Sequence, residues 1–116
     1  MISWPGNLRV YLAAGVTDMR KSIDTLAVLV AERLDLDPLS GHLFGFCNRK
    51  RDTIKILYWD RNGFCLWHKR LERDRFHWPD SESEARLISA RELAWLLDGL
   101  SIEQAAYRAI RYEKIC

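Results

Sequence analysis

The sequence predicts an α+β fold: a single domain over residues 1–116, with an antiparallel β-sheet of four to five strands packed by one helix from the N-terminal half and one near the C-terminus. Three observations lead there. Short β-type runs separated by turn chemistry fill residues 43–71. Residues 23–34 carry apolar side chains at helical spacing, and Ser89-Ala90-Arg91-Glu92 opens a second apolar helix. A chain of 116 residues suits one domain and is long enough to bury a core without staples. With 48% hydrophobic and 29% charged residues, the composition is that of a globular protein rather than a disordered one.

The elements follow in order. Arg9-Val10-Tyr11-Leu12 reads as a short strand, interrupted by Gly15. Thr17 or Asp18 is expected to cap a helix, since either side chain accepts a hydrogen bond from a free backbone N–H. That helix, around residues 21–34, presents Ile23, Leu26, Ala27, Val30 and Leu34 on one face and ends near Asp35, ahead of Pro38. Ser40-Gly41 is a turn. Leu43 to Cys47 is a strand apolar on both faces, hence central. Residues 48–52 form a polar loop before a third strand, Thr53 to Trp59. Asp60-Arg61-Asn62-Gly63 reads as a hairpin turn with two or three central residues, its positive φ expected at Asn62 or Gly63. Phe64 to Leu71 is the fourth strand. Phe76-His77-Trp78, stopped by Pro79, reads as a short final strand, and Asp80 to Glu84 as an acidic loop. The helix opened by the capping box of Ser89 and Glu92 runs through Leu97 and stops at Gly99. Ser101 to Gln104 repeats the signature.

No stretch is long and apolar enough for a membrane span, and Met1 to Pro5 lack the pattern of a signal peptide. Three cysteines, Cys47, Cys65 and Cys116, are an odd number. Free thiols in a reducing, cytoplasmic setting are expected. The net charge of +2 conceals an asymmetry. Residues 49–75 hold nine Lys/Arg against four acids, an excess of +5 that leaves the remainder at −3. A basic middle on an acidic remainder predicts one positive surface.

Catalytic constellations are not apparent. Metal-dependent phosphoryl transfer needs converging carboxylates. Asp60 sits in the hairpin turn instead, while Glu72 and Asp74 alternate with arginines as solvated pairs. Cys65-x₂-His68 is the nearest approach to a zinc pair, but positions three apart on a strand face opposite ways. Cys65 lies among Phe64, Leu66 and Trp67, a packing environment rather than that of a nucleophile. The glycines are isolated, so no phosphate-cradling loop is expected. No catalytic residue, metal or cofactor is expected.

Nucleic-acid binding is the sharper reading. If strands three and four pair, Arg49-Lys50-Arg51 converge with Lys69, Arg70, Arg73 and Arg75 at one end of the sheet. Guanidinium groups bind phosphates through paired donors, and most protein–DNA contacts are to phosphates. Tyr58, Trp59, Trp67, Phe76 and Trp78 are candidates to stack on unpaired bases. The competing reading is a solvated basic face over an aromatic core. Around Trp95 and Leu96 the last helix is apolar beyond one stripe, a candidate protein-docking face whose competing reading is burial against the sheet. Arg20-Lys21 at a helix N-terminus oppose the helix dipole, a local conflict of the kind that sometimes marks function.

From Arg9 to Pro79 the chain resembles a known family, the TnpB accessory proteins encoded by the second reading frame of insertion sequences of the sixty-six type. The resemblance is carried by Gly15-Val16-Thr17-Asp18-Met19-Arg20-Lys21, Ser40-Gly41-His42-Leu43-Phe44, Lys55-Ile56-Leu57-Tyr58-Trp59-Asp60 and Lys69-Arg70-Leu71-Glu72-Arg73, followed by Phe76 and Trp78-Pro79. It implies a bacterial mobile element and a role in transposition beside a separate, larger transposase. It implies no reaction. In the family the Asp-Met-Arg-Lys segment is characteristic, which singles out Arg20 and Lys21 as phosphate or partner contacts. The expected function is a non-catalytic accessory factor docking on element DNA through a basic β-hairpin surface. The alternative is an adaptor that binds the transposase without touching DNA. A second copy of the chain is a further candidate partner.

Overall fold

A computed structural model describes residues 7–80 and 85–102. Their elements are β1 (Val10–Ala13), α1 (Ile23–Glu32), β2 (Leu43–Cys47), β3 (Thr53–Asp60), β4 (Gly63–Arg70), β5 (Ala85–Ile88) and α2 (Ala90–Leu97). The five strands form one sheet in the order β4-β3-β2-β1-β5. The α+β class holds, and β2 is central, with all five of its residues buried.

The sheet is mixed rather than wholly antiparallel. β1 pairs with β2 in parallel, while β1–β5, β2–β3 and β3–β4 are antiparallel. The reason is the connection. α1 carries the chain back along the sheet after β1, so β2 starts from the same end, and only a crossover of this kind permits parallel neighbours. Short loops announce antiparallel hairpins in a sequence; where β1 docks is not a local property.

Two apolar layers enclose the sheet. On one face α1 buries Leu26 and Val30 against Phe44, Phe46 and Leu57. On the other, α2 buries Leu93, Leu96 and Leu97 against Val10, Ile54, Ile56 and Ile88, together with Phe76 and Trp78. Each such side chain contributes about 1.5–3 kcal/mol through removal from water. Gly45 makes the second layer possible. A Cβ there would lie 3.2 Å from the Trp78 ring and 3.0 Å from Leu12. Among the described residues no helix is long and apolar enough to cross a membrane.

Several local expectations are corrected. The helix is not capped by Thr17 or Asp18. Asp18 Oδ1 instead accepts from the Arg20 N–H at 2.9 Å, the self-turn that Asp favours, and Thr17 N–H donates to the Cys47 carbonyl at 2.8 Å. Ser22 becomes the N-cap, without a side-chain cap bond. Arg20 and Lys21 therefore precede the helix rather than occupying its first turn. α1 ends at Glu32, and the chain turns away at Asp35, whose φ is +53°. In the β3–β4 hairpin Asp60 pairs with Gly63, so two residues form the loop and the positive φ falls on Arg61.

Phe76 to Trp78 is not a strand. Phe76 and Trp78 are buried and His77 is exposed, an alternation that mimics one. Their polar groups, however, bond outside any ladder: Phe76 N–H to the Arg51 carbonyl and Trp78 Nε1–H to the Ala13 carbonyl at 2.9 Å. The fifth strand is β5, four residues at the edge beside β1. The capping box of α2 forms as expected, Ser89 Oγ accepting from Glu92 N–H at 3.0 Å and Glu92 accepting from Ser89 N–H at 3.0 Å. Gly99 follows with φ +84°. The acidic loop beyond Asp80, the helix start at residues 103–104 and Cys116 lie outside the described residues.

Candidate nucleic-acid interface

The β2–β3 loop is built on Asn48. Its side-chain oxygen accepts from Asp52 N–H and Thr53 N–H, each at 3.1 Å, and its amide donates to Asp52 Oδ1 at 2.7 Å. Thr53 Oγ1 donates to the same carboxylate oxygen at 3.1 Å. The Asn48 amide holds the Asp52 carboxyl below the usual carboxylate range. Arg51 completes the loop with φ +61°. Between these anchors Arg49 and Lys50 project into water, and among the described residues neither is in an ion pair.

Two further segments are brought beside this loop. β-register sets Arg70 opposite Thr53, on the face that carries α1. Leu71 N–H donates to the Asp52 carbonyl at 2.7 Å and fixes the chain leaving β4. On the other side the segment before α1 is tied down twice, by Thr17 N–H on the Cys47 carbonyl and by Lys55 Nζ on the Met19 carbonyl at 2.8 Å. That places Arg20. Its guanidinium grips Asp18 at 2.8–3.1 Å through Nε and Nη2, which holds the Asp18 carboxyl down at about 2 and raises the Arg20 pKa.

The result is an open concavity of about 800 Å³ whose lining includes Arg20, Arg49, Lys50 and Arg70, with Asp18 and Asp52 as the two acids. An adjoining hollow of about 460 Å³ shares Asp18 and Arg20 and adds Lys21. The formal excess is two positive charges in the larger hollow, from four cations and two acids. Three separate chain segments contribute, so the concentration of charge is a product of the fold.

Not every basic residue of the sequence pattern joins it. Lys69 pairs with Ile54 and so faces α2, where its Nζ donates to the Leu97 carbonyl at 2.8 Å. Arg51 Nη1 donates to the Trp78 carbonyl at 2.7 Å, and its Nη2 lies 3.5 Å from Asp80. Both cations serve the architecture. Arg73 and Arg75 are exposed beyond β4 and line neither hollow. Arg70 also meets Glu72 at 3.2 Å, in water. Of the expected docking pair, Leu96 is 0% exposed in the core and has no side chain left for a partner. Trp95 is half-buried beneath Arg91, whose guanidinium carbon stands 5.2 Å from the ring centroid.

Sequence reasoning missed Asn48 and Lys55 as the residues that set the loop and the Arg20 segment. An Asn directly after a strand is a readable turn signal; a mid-strand lysine reaching a distant carbonyl is not. Among the described residues no three His, Cys, Asp or Glu side chains gather as metal ligands. Cys65 pairs with Tyr58 and His68 with Lys55, on opposite faces of β4. Burial pushes the Cys47 thiol up to about 12, far from a thiolate at neutral pH.

Comparison with known proteins gives the chain its family. A family described as "IS66 Orf2 like protein" matches residues 8–107. The chain belongs to that family. Membership of this IS66 Orf2-like group gives the chain an accessory role in transposition and associates it with the transposition machinery. It is similar to two proteins of Sinorhizobium fredii (strain NBRC 101917 / NGR234). Uncharacterized protein y4hO is 46% identical over 94 residues, covering 81% of this chain and 82% of the relative. Uncharacterized protein y4jC is 33% identical over 100 residues, covering 86% of each. No solved structure matches the chain.

Proposed function

We propose that this IS66 Orf2-like protein is a non-catalytic accessory factor that docks on element DNA, in the bacterial cytoplasm, beside a separate transposase. The observation that carries the reading is the concavity in which Arg20, Arg49, Lys50 and Arg70 meet from three segments. Phosphate is the complement of such a surface, because paired N–H donors and positive charge match its oxygens. Screening at physiological salt limits these charges to groups within about 8 Å, so the cations must sit against the backbone to act. The larger hollow is lined by loop and strand residues and by none from a helix, which favours docking that is largely independent of sequence.

An adaptor that binds the transposase and no DNA is the competing reading. Its support weakens with Leu96 in the core. The test is fluorescence anisotropy on an element-end duplex and a scrambled duplex across a salt series, with Arg49→Ala/Lys50→Ala as the variant. Arg51 is left intact because it holds Trp78. Comparable binding of both duplexes, weakening with salt and reduced in the variant, is the expected result. Absence of binding at low salt rejects DNA docking and leaves the adaptor, to be pursued by capture with the transposase. Nicking of plasmid in Mg²⁺, abolished by chelator, would overturn the non-catalytic assignment.

A further inference from the structure

We infer that the concavity selects the phosphate backbone of duplex DNA over unpaired strands. This rests on the docking function proposed above and specifies its substrate. Proteins that hold single strands supply aromatic platforms on which bases stack beside a cationic groove. Here the two features are separated. The concavity is lined by Arg20, Arg49, Lys50 and Arg70 with small polar and aliphatic neighbours, and no aromatic side chain contributes to it.

The aromatic residues expected to stack on bases are committed elsewhere. Phe76 and Trp78 are 2% and 4% exposed. Tyr58 and Trp67 pack against the core on the α2 face, opposite to the face on which Arg70 opens. Trp59 sits edge-on to Phe64, ring centroids 5.1 Å apart, at the far tip of the β3–β4 hairpin. That tip is about 20 Å along the strands from the Thr53–Arg70 pair. Inside the concavity a flipped or single-stranded base therefore finds no ring among the described residues; the exposed His68, two positions back along β4 on the face of Arg70, stands outside its lining. Phosphates finding fixed cations is what remains, and a duplex offers them in a regular, stiff array with the bases already stacked on one another. A flexible strand loses its freedom on docking without meeting an aromatic side chain in the lining of the concavity.

The experiment uses the whole chain and one labelled sequence in two forms, as a duplex and as either separated strand, titrated from about 50 to 200 mM salt. The duplex is expected to bind at least about tenfold more tightly, with log K falling on log salt at a slope near −3 for phosphates facing Arg49, Lys50 and Arg70. Arg49→Ala/Lys50→Ala should flatten that slope by about 2, with circular dichroism confirming the unchanged fold. Equal or tighter binding of the single strands overturns duplex selection while leaving DNA docking in place. Failure of both forms to bind at the lowest salt overturns docking itself, and duplex selection with it.

Discussion

The two faces of the sheet treat their basic residues in opposite ways. On the α2 face Lys69 reaches the Leu97 carbonyl at the end of α2, and Arg51 reaches the Trp78 carbonyl in the segment laid over the same layer. On the α1 face Arg70, one residue along the same strand, opens on the concavity with Arg49, Lys50 and Arg20. The first pair closes the structure; in the second set Arg49 and Lys50 are in no ion pair among the described residues, while Arg70 meets Glu72 and Arg20 grips Asp18 at the surface. A charge run read as one surface is thus divided by strand alternation and by where unsatisfied carbonyls happen to lie.

The division can be broken from the structural side. Trp78→Ala removes a buried ring and its bond to the Ala13 carbonyl, while the backbone carbonyl that Arg51 holds is kept. A loss of about 3–5 kcal/mol in urea unfolding is expected. A loss below 1 kcal/mol, on the order of a surface change, would show that the segment after β4 is not part of the core.

Neighbouring substitutions sharpen the contrast. Lys69→Met keeps the stem and deletes the donor to Leu97, with an expected cost of about 1–3 kcal/mol and unchanged DNA affinity. Arg70→Ala should leave stability within about 0.5 kcal/mol and flatten the salt slope of duplex binding by about 1. Reversed phenotypes for the two would overturn the assignment of faces. Gly45→Ala places a methyl against Leu12 and the Trp78 ring. Overpacking of about 1–2 kcal/mol is expected, read as a lower urea midpoint with the slope unchanged.

The smallest effect lies at the rim. Asp18 titrates at about 2 rather than 3.8 because Arg20 donates to it. A folded-state value below the unfolded one means that the pair's contribution is complete above 3.8 and is lost as pH falls through about 2. Carboxyl NMR shifts should place the wild-type midpoint near 2 and raise it in Arg20→Ala, to a value still below 3.8 because the backbone N–H of residue 20 keeps its bond to Asp18. An unmoved midpoint would mean that Arg20 does not hold Asp18 in solution.

Much of the architecture was legible because its causes are local. The α1 stripe, the β2 run, the β3–β4 hairpin and the α2 capping box each follow from side-chain spacing or turn chemistry within a few residues. The late start of α1 was not legible, since Asp18 had two local uses and took the turn to Arg20. Nor was β5. Four residues carry too little pattern to compete with Phe76 to Trp78, whose burial alternates like that of a strand.

The family was carried by the sequence alone, in the motifs between Gly15 and Pro79 and in the match over residues 8–107. The sequence also sufficed for the α+β class, the central β2 and the convergence of Arg49 and Lys50 with Arg70, because hairpin pairing of consecutive strands is a short-range consequence of their turn. Tertiary structure alone decided that β1 runs parallel to β2, that Arg20 joins the concavity, and that Arg51, Lys69 and Leu96 belong to the architecture. Each of these depends on contacts between residues distant in the chain. A buried carbonyl recruits whichever donor the fold brings near it, and no local pattern records which one that will be.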